Sequence, residues 1–131
     1  SPHLFLEMIM IYKKDNELFD ATCLSIRATN MIDRAINFHN DNPIVFKTFS
    51  KIAFETLNGG RKKYSSDMVW NVMRWHVNVK LKYKTDKKFN DHYKAFFTRL
   101  FIAKYPRNEK FFEIRKSAFD NVYYDKIIQT L

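Results

Sequence analysis

The chain has 131 residues, 46% of them hydrophobic and 17% aromatic, with 23 Lys or Arg against 14 Asp or Glu. That is enough apolar material for one packed domain and too much for a disordered chain. With two adjacent glycines, Gly59 and Gly60, and three prolines, turn residues are too scarce for an all-β sandwich, so the composition favours helices.

Taken in chain order, the apolar residues from Asn16 to His39 follow helical spacing and predict one long helix, or two joined near Thr29 and Asn30. Asn42-Pro43 closes that element and opens the next, as an N-cap with proline in the first helical position. The helix from Pro43 to about Leu57 places Val45, Phe46, Phe49, Ile52, Ala53 and Phe54 on one face and is stopped by Asn58 and Gly59. Ser65-Ser66-Asp67 is a second helix start, with an acid in the first turn. Beyond it Val77, Val79, Leu81 and Tyr83 alternate with Asn78, Lys80, Lys82 and Lys84, a period of two that predicts a strand with one basic face. Thr85 to Lys88 reads as a turn, with Lys88-Phe89 as the return of a small hairpin. Asn90 then caps a helix to about Lys104 with an aromatic stripe, ended by Tyr105-Pro106. A basic-aromatic helix from about Asn108 to Phe119 and a short helical piece within Val122 to Leu131 complete the chain. The expectation is a single domain over 1–131, mainly α and compact with a small β-hairpin, its segment 42–104 resembling a winged helix-turn-helix. Ser1, Pro2 and His3 read as a cloning remnant, with Met8 or Met10 as natural starts. The opening LFLEMIMIY lacks the basic flank and cleavage site of a signal peptide, and no apolar run approaches the roughly 18 residues of a membrane span.

Charge is unevenly distributed. Residues 61–116 hold sixteen Lys or Arg against five acids, a surplus of eleven, whereas the segments on either side each carry one more acid than base. Such segregation points to a polyanionic partner more strongly than a uniformly high isoelectric point does. Arg61, Lys62 and Lys63 precede a helix N-terminus, where backbone N–H groups already favour a phosphate. Lys80, Lys82 and Lys84 would project from one face of the strand, followed by Lys87 and Lys88 in the wing, spaced to follow a phosphate backbone rather than to read bases. On the helix before them, Asn71 and Arg74 are the candidates for adenine and guanine edges. Trp70 and Trp75 have the chemistry to stack on unpaired bases, although tryptophan at helical spacing more often fills a core, and both are expected there.

Catalytic constellations are weak. His3, His39, His76 and His92 show no HExxH spacing, and Gly59-Gly60-Arg61-Lys62 lacks the spacing of a phosphate-binding loop. The lone Cys23 cannot form an intrachain disulfide, fits a reducing cytoplasm, and reads as a small buried apolar residue. A nuclease reading would gather Asp67, Asp86, Asp91 and a lysine around a metal, or pair Asp91 with His92, but neither spacing is specific. No cofactor, metal or catalytic residue is therefore expected.

The patterns GRKKYS, VMRWH, KFNDHY, RLFIAKYP and FFEIRKS, from Gly60 to Ser117, resemble small proteins of bacteriophages and bacterial mobile elements. The resemblance implies a bacterial or phage-infected cytoplasm and carries over no activity. The expected function is nucleic-acid binding, with double-stranded DNA favoured over RNA. The alternative is a phage-encoded protein whose basic face docks an acidic host protein, such as a nuclease or defence complex. The aromatic stripes of the last helices either fill one core or form a homodimer interface.

Overall fold

The computed structural model describes residues 18–84 and 89–131. The expectations for Ser1 to Glu17, the Thr85–Lys88 turn and the wing residues Lys87 and Lys88 lie outside the described residues. The described chain is mainly helical: α1 (Ile26–Asp41), α2 (Pro43–Asn58), α3 (Ser66–Trp75), α4 (Tyr93–Lys104) and the short α5 (Tyr124–Ile128).

Helix α1 starts later than its apolar spacing predicts. The Ser25 hydroxyl accepts the Ala28 N–H at 3.1 Å and sets the N-cap, so Thr29 and Asn30 lie inside the helix rather than at a break. The described residues before it are not helical: Phe19 bridges Val122 in antiparallel fashion, with Asp20 N–H donating to the Asn121 carbonyl and Tyr123 N–H to the Leu18 carbonyl, and a turn follows at Thr22-Cys23. Cys23, expected in the core, is exposed.

One residue, Asn42, separates α1 from α2. Pro43 occupies the first turn of α2 as predicted, but the buried Asn42 side chain does not cap that helix. Its Nδ2 donates to the Phe38 carbonyl and its Oδ1 accepts from the Tyr83 hydroxyl, each at 3.0 Å. At the far end of α2 the positive φ falls one residue later than expected, on Gly60 at 95°. Gly60 N–H bonds the Leu57 carbonyl and Arg61 N–H the Thr56 carbonyl, the Schellman pattern that only glycine enters without a Cβ penalty.

Helix α3 is capped by Ser65, whose hydroxyl accepts from Met68 N–H. The predicted strand after it is absent. His76–Lys80 continue the helix as a π turn, and Val77 is buried while Val79 and Leu81 are about half exposed, so the two-residue alternation does not separate two faces. The chain then folds back: Tyr83 N–H bonds the Val77 carbonyl and Lys82 takes a φ of 49°. No strand ladder forms among the described residues, so Lys80, Lys82 and Lys84 do not share a strand face.

The core is aromatic and centres on Phe97 of α4. Its ring lies within 6.4 Å of Phe46 and Phe49 (α2), 6.2 Å of Phe38 and 5.9 Å of His39 (α1), and 5.5 Å of Trp70 (α3). Full burial of each such phenylalanine contributes on the order of 1.5–3 kcal/mol, so this one position ties four helices together. The helix expected over Asn108 to Phe119 does not form. A 3-10 turn at Pro106–Asn108 leads into an irregular segment, and a second 3-10 turn occupies Ala118–Asn121. Phe111 and Phe112 hold that segment down: Phe112 packs 5.8 Å from Phe49 and 5.5 Å from Phe101.

Candidate functional site

The basic connector between α2 and α3 is fixed against the irregular segment after α4. Tyr64 N–H donates to the Phe111 carbonyl at 3.0 Å, and the buried rings of Phe111 and Phe112 hold Lys110, Glu113 and Arg115 beside the connector. Two adjoining clefts result. The larger, about 940 Å³, lies at the start of α3 and includes Lys63, Asp67, Lys94, Lys110, Glu113 and Arg115 in its lining. The smaller, about 340 Å³, is lined on its charged side by Arg61, Lys62, Arg107 and Lys110, with no carboxylate among the described residues. Lys110 and Phe111 line both.

Among the described residues the clefts together gather seven cationic side chains against two carboxylates. One of the two, Asp67, is already ion-paired with Lys94. Arg61 lies over the Tyr64 ring at 5.8 Å, which restrains the guanidinium without consuming its hydrogen-bond donors.

The position of Arg115 is set from below. Arg99, a buried residue of α4, donates from Nη2 to the Arg115 carbonyl at 2.6 Å and from Nε to Asp120 Oδ1 at 2.7 Å. Burial alone would raise the Asp120 carboxyl, but the Ser117 N–H and the Arg99 guanidinium outweigh it and hold that group below its ordinary range. Arg99 is thus a structural cation, not part of the exposed surface.

The sequence-predicted residues divide into three groups. Arg61, Lys62 and Lys63 line the clefts. Lys80 is exposed at the other end of the α3 and π-turn helix, about 20 Å from its start at about 1.5 Å per residue, and Lys82 and Lys84 are exposed in the fold-back after it. On α3 itself Asn71 is exposed, whereas Arg74 is paired: its Nη1 donates to Asp91 Oδ1 at 3.0 Å, and the same oxygen accepts the Trp70 indole N–H at 3.2 Å. That pairing occupies one of the five N–H donors of the Arg74 guanidinium. Trp70 is in the core as expected, but Trp75, also expected there, is 52% exposed.

Sequence reading missed Lys94, Arg107, Lys110 and Arg115. The signal available for them was the charge surplus extending to residue 116, past the point where the candidate surface was drawn. For the nuclease alternative, Asp67 is paired with Lys94 and Asp91 with Arg74 and Trp70, and Asp86 lies outside the described residues. Among the described residues no three His, Cys, Asp or Glu side chains are placed to hold a metal ion, and no helix is long and apolar enough to cross a membrane. The chain matches no protein-family model, no curated protein and no solved structure.

Proposed function

We propose that this protein binds nucleic acid, holding the phosphate backbone across the two clefts at the start of α3. The observation that carries the reading is the convergence of seven cations, drawn from residues 61–63, 94 and 107–115, on adjoining clefts with one unpaired carboxylate between them. A merely solubilising surface intersperses both signs. Here three separate stretches of chain are pinned so that their like charges face one space, an arrangement that repels itself until a polyanion fills it. Displacing condensed counterions from the backbone then supplies most of the affinity.

In this reading the backbone N–H groups at the start of α3 add to the positive potential of the clefts. The resemblance of Gly60 to Ser117 to phage and mobile-element proteins fits a bacterial or phage-infected cell as the setting. The test is anisotropy titration of labelled oligonucleotides with the wild type and the Lys62→Glu/Lys110→Glu double variant, both side chains being exposed. Affinity should fall at least about tenfold with an unchanged helical spectrum, since each reversed contact is repelled as well as lost. Undiminished binding refutes the assignment of the surface.

A further inference from the structure

The solvent-facing side of α3 carries an apolar stripe beside the exposed Asp67 and Asn71. Met68, Val72, Trp75 and Val79 recur at spacings of four, three and four, which aligns them in one stripe. All four are between 42% and 52% exposed. The stripe starts beside the Ser65–Asp67 wall of the larger cleft and ends at the lysines that follow the π turn.

Trp75 is the centre of the stripe, and its surroundings are those of a base-stacking platform. In an α-helix of 3.6 residues per turn, residue i+5 lies about 140° round the axis from residue i. The i→i+5 turn over His76–Lys80 instead returns Lys80 to Trp75, with Nζ 5.8 Å from the ring centroid. Asn71 and Asn78, both exposed, stand one turn before and one turn after Trp75 on the same helix surface, where their amides can pair with the edges of a stacked base. Lys82 and Lys84 follow within one fold-back of the chain, anchored through Tyr83 to Asn42. An exposed indole, a cation beside its ring, flanking amides and a basic approach are the elements by which unpaired nucleic acid is held. A second copy of the chain fits this surface poorly, because the stripe ends at exposed lysines and the chain carries a net charge of +9.

Resting on the nucleic-acid reading above, we infer that the substrate class is single-stranded nucleic acid, with a base stacked on Trp75 while the clefts hold the backbone. This replaces duplex DNA as the ligand, since the exposed stripe of α3 offers stacking area.

The two tryptophans make the test direct, because Trp70 is buried at 1% exposure and Trp75 is not. Oligo(dT), oligo(U) and a mixed-sequence duplex of equal length are titrated while tryptophan emission is followed. Single strands should quench the emission. Trp75→Ala should abolish that quenching and weaken single-strand binding between about 5- and 150-fold, the range of one lost stack, while changing duplex binding less than about threefold. Trp75→Phe should recover most of the affinity. If Trp75→Ala binds single strands as tightly as the wild type, or if duplex quenches equally, the inference fails while cleft binding stands. If neither strand form binds at low salt, the underlying reading fails with it. If emission instead shifts with protein concentration and the Ala variant is monomeric where the wild type is dimeric, the stripe is a self-association surface and the inference is overturned.

Discussion

Replacing Asp91 separates a structural carboxylate from a catalytic one. The Asp91 Oδ1 atom accepts both the Trp70 indole N–H at 3.2 Å and the Arg74 guanidinium at 3.0 Å, joining the start of α4 to the middle of α3. In Asp91→Ala the indole N–H of a residue only 1% exposed loses its acceptor, at a cost of about 1–2 kcal/mol, the lower part of the usual range because water can approach from the Asp91 side. The Arg74 ion pair adds at most about 0.5 kcal/mol, since Asp91 is 74% exposed and the pair is screened. The total is about 1–2.5 kcal/mol. Unfolding entropy of about 2.1 cal/mol/K per residue converts it to a fall in Tm of about 4–9 °C for this chain length. Asp91→Asn keeps an oxygen acceptor and loses only charge, so its Tm should fall by about 2 °C. Calorimetric or circular-dichroism melting of the three proteins decides the matter. Equal loss in the Asn and Ala variants would refute the claim that the indole hydrogen bond dominates.

Two further perturbations follow from the fold. His39 lies among Phe46, Phe96 and Phe97 with its buried Nδ1 unbonded, and burial lowers its pKa. The unfolded chain therefore takes up the proton first, so stability is full above about pH 6.5 and declines as the pH falls toward the folded value, by at most about 1.4 kcal/mol per unit. Urea midpoints between pH 7.5 and 5.5 should show that decline in the wild type and not in His39→Phe; the same slope in both would contradict it. At Lys82 the φ of 49° costs an L-residue about 1–2 kcal/mol that glycine avoids, less the entropy glycine loses on folding. Lys82→Gly should thus be more stable than Lys82→Val by up to about 1.5 kcal/mol in urea titration, and the reverse order would count against the fold-back after the π turn.

The parts of this fold that were legible in the sequence are those governed by local chemistry. Pro43, Ser65, Tyr105-Pro106 and the aromatic spacing of Tyr93 to Phe101 each act within one or two turns, and the helices they delimit are present. The failures lie where tertiary contact decides. Val77, Val79, Leu81 and Tyr83 alternate in sequence, but the helix begun at Ser65 already covers Val77, and Tyr83 is drawn back by the buried Asn42. Phe111 and Phe112 fit a helix by composition, yet each is pulled separately into the core, which leaves their backbone irregular and their basic neighbours fanned along the clefts. The candidate site was half legible for the same reason. Arg61 to Lys63 form a visible run, whereas Lys94 joins them through its ion pair with Asp67, and Arg107, Lys110 and Arg115 through tertiary contacts that include the Tyr64 to Phe111 hydrogen bond and the Arg99 anchor.

The central claim is that the clefts neutralise phosphates, and the salt dependence of binding counts them. Seven cations, with Lys94 committed to Asp67 and Glu113 offsetting another, leave about five for the ligand. At about −0.7 per phosphate for a single strand, log Kobs against log salt should have a slope of about −3 to −4 between about 50 and 200 mM, and the Lys62→Glu/Lys110→Glu variant should lose at least about 1.4 of it. A slope near zero, or one the double variant leaves unchanged, would contradict the account.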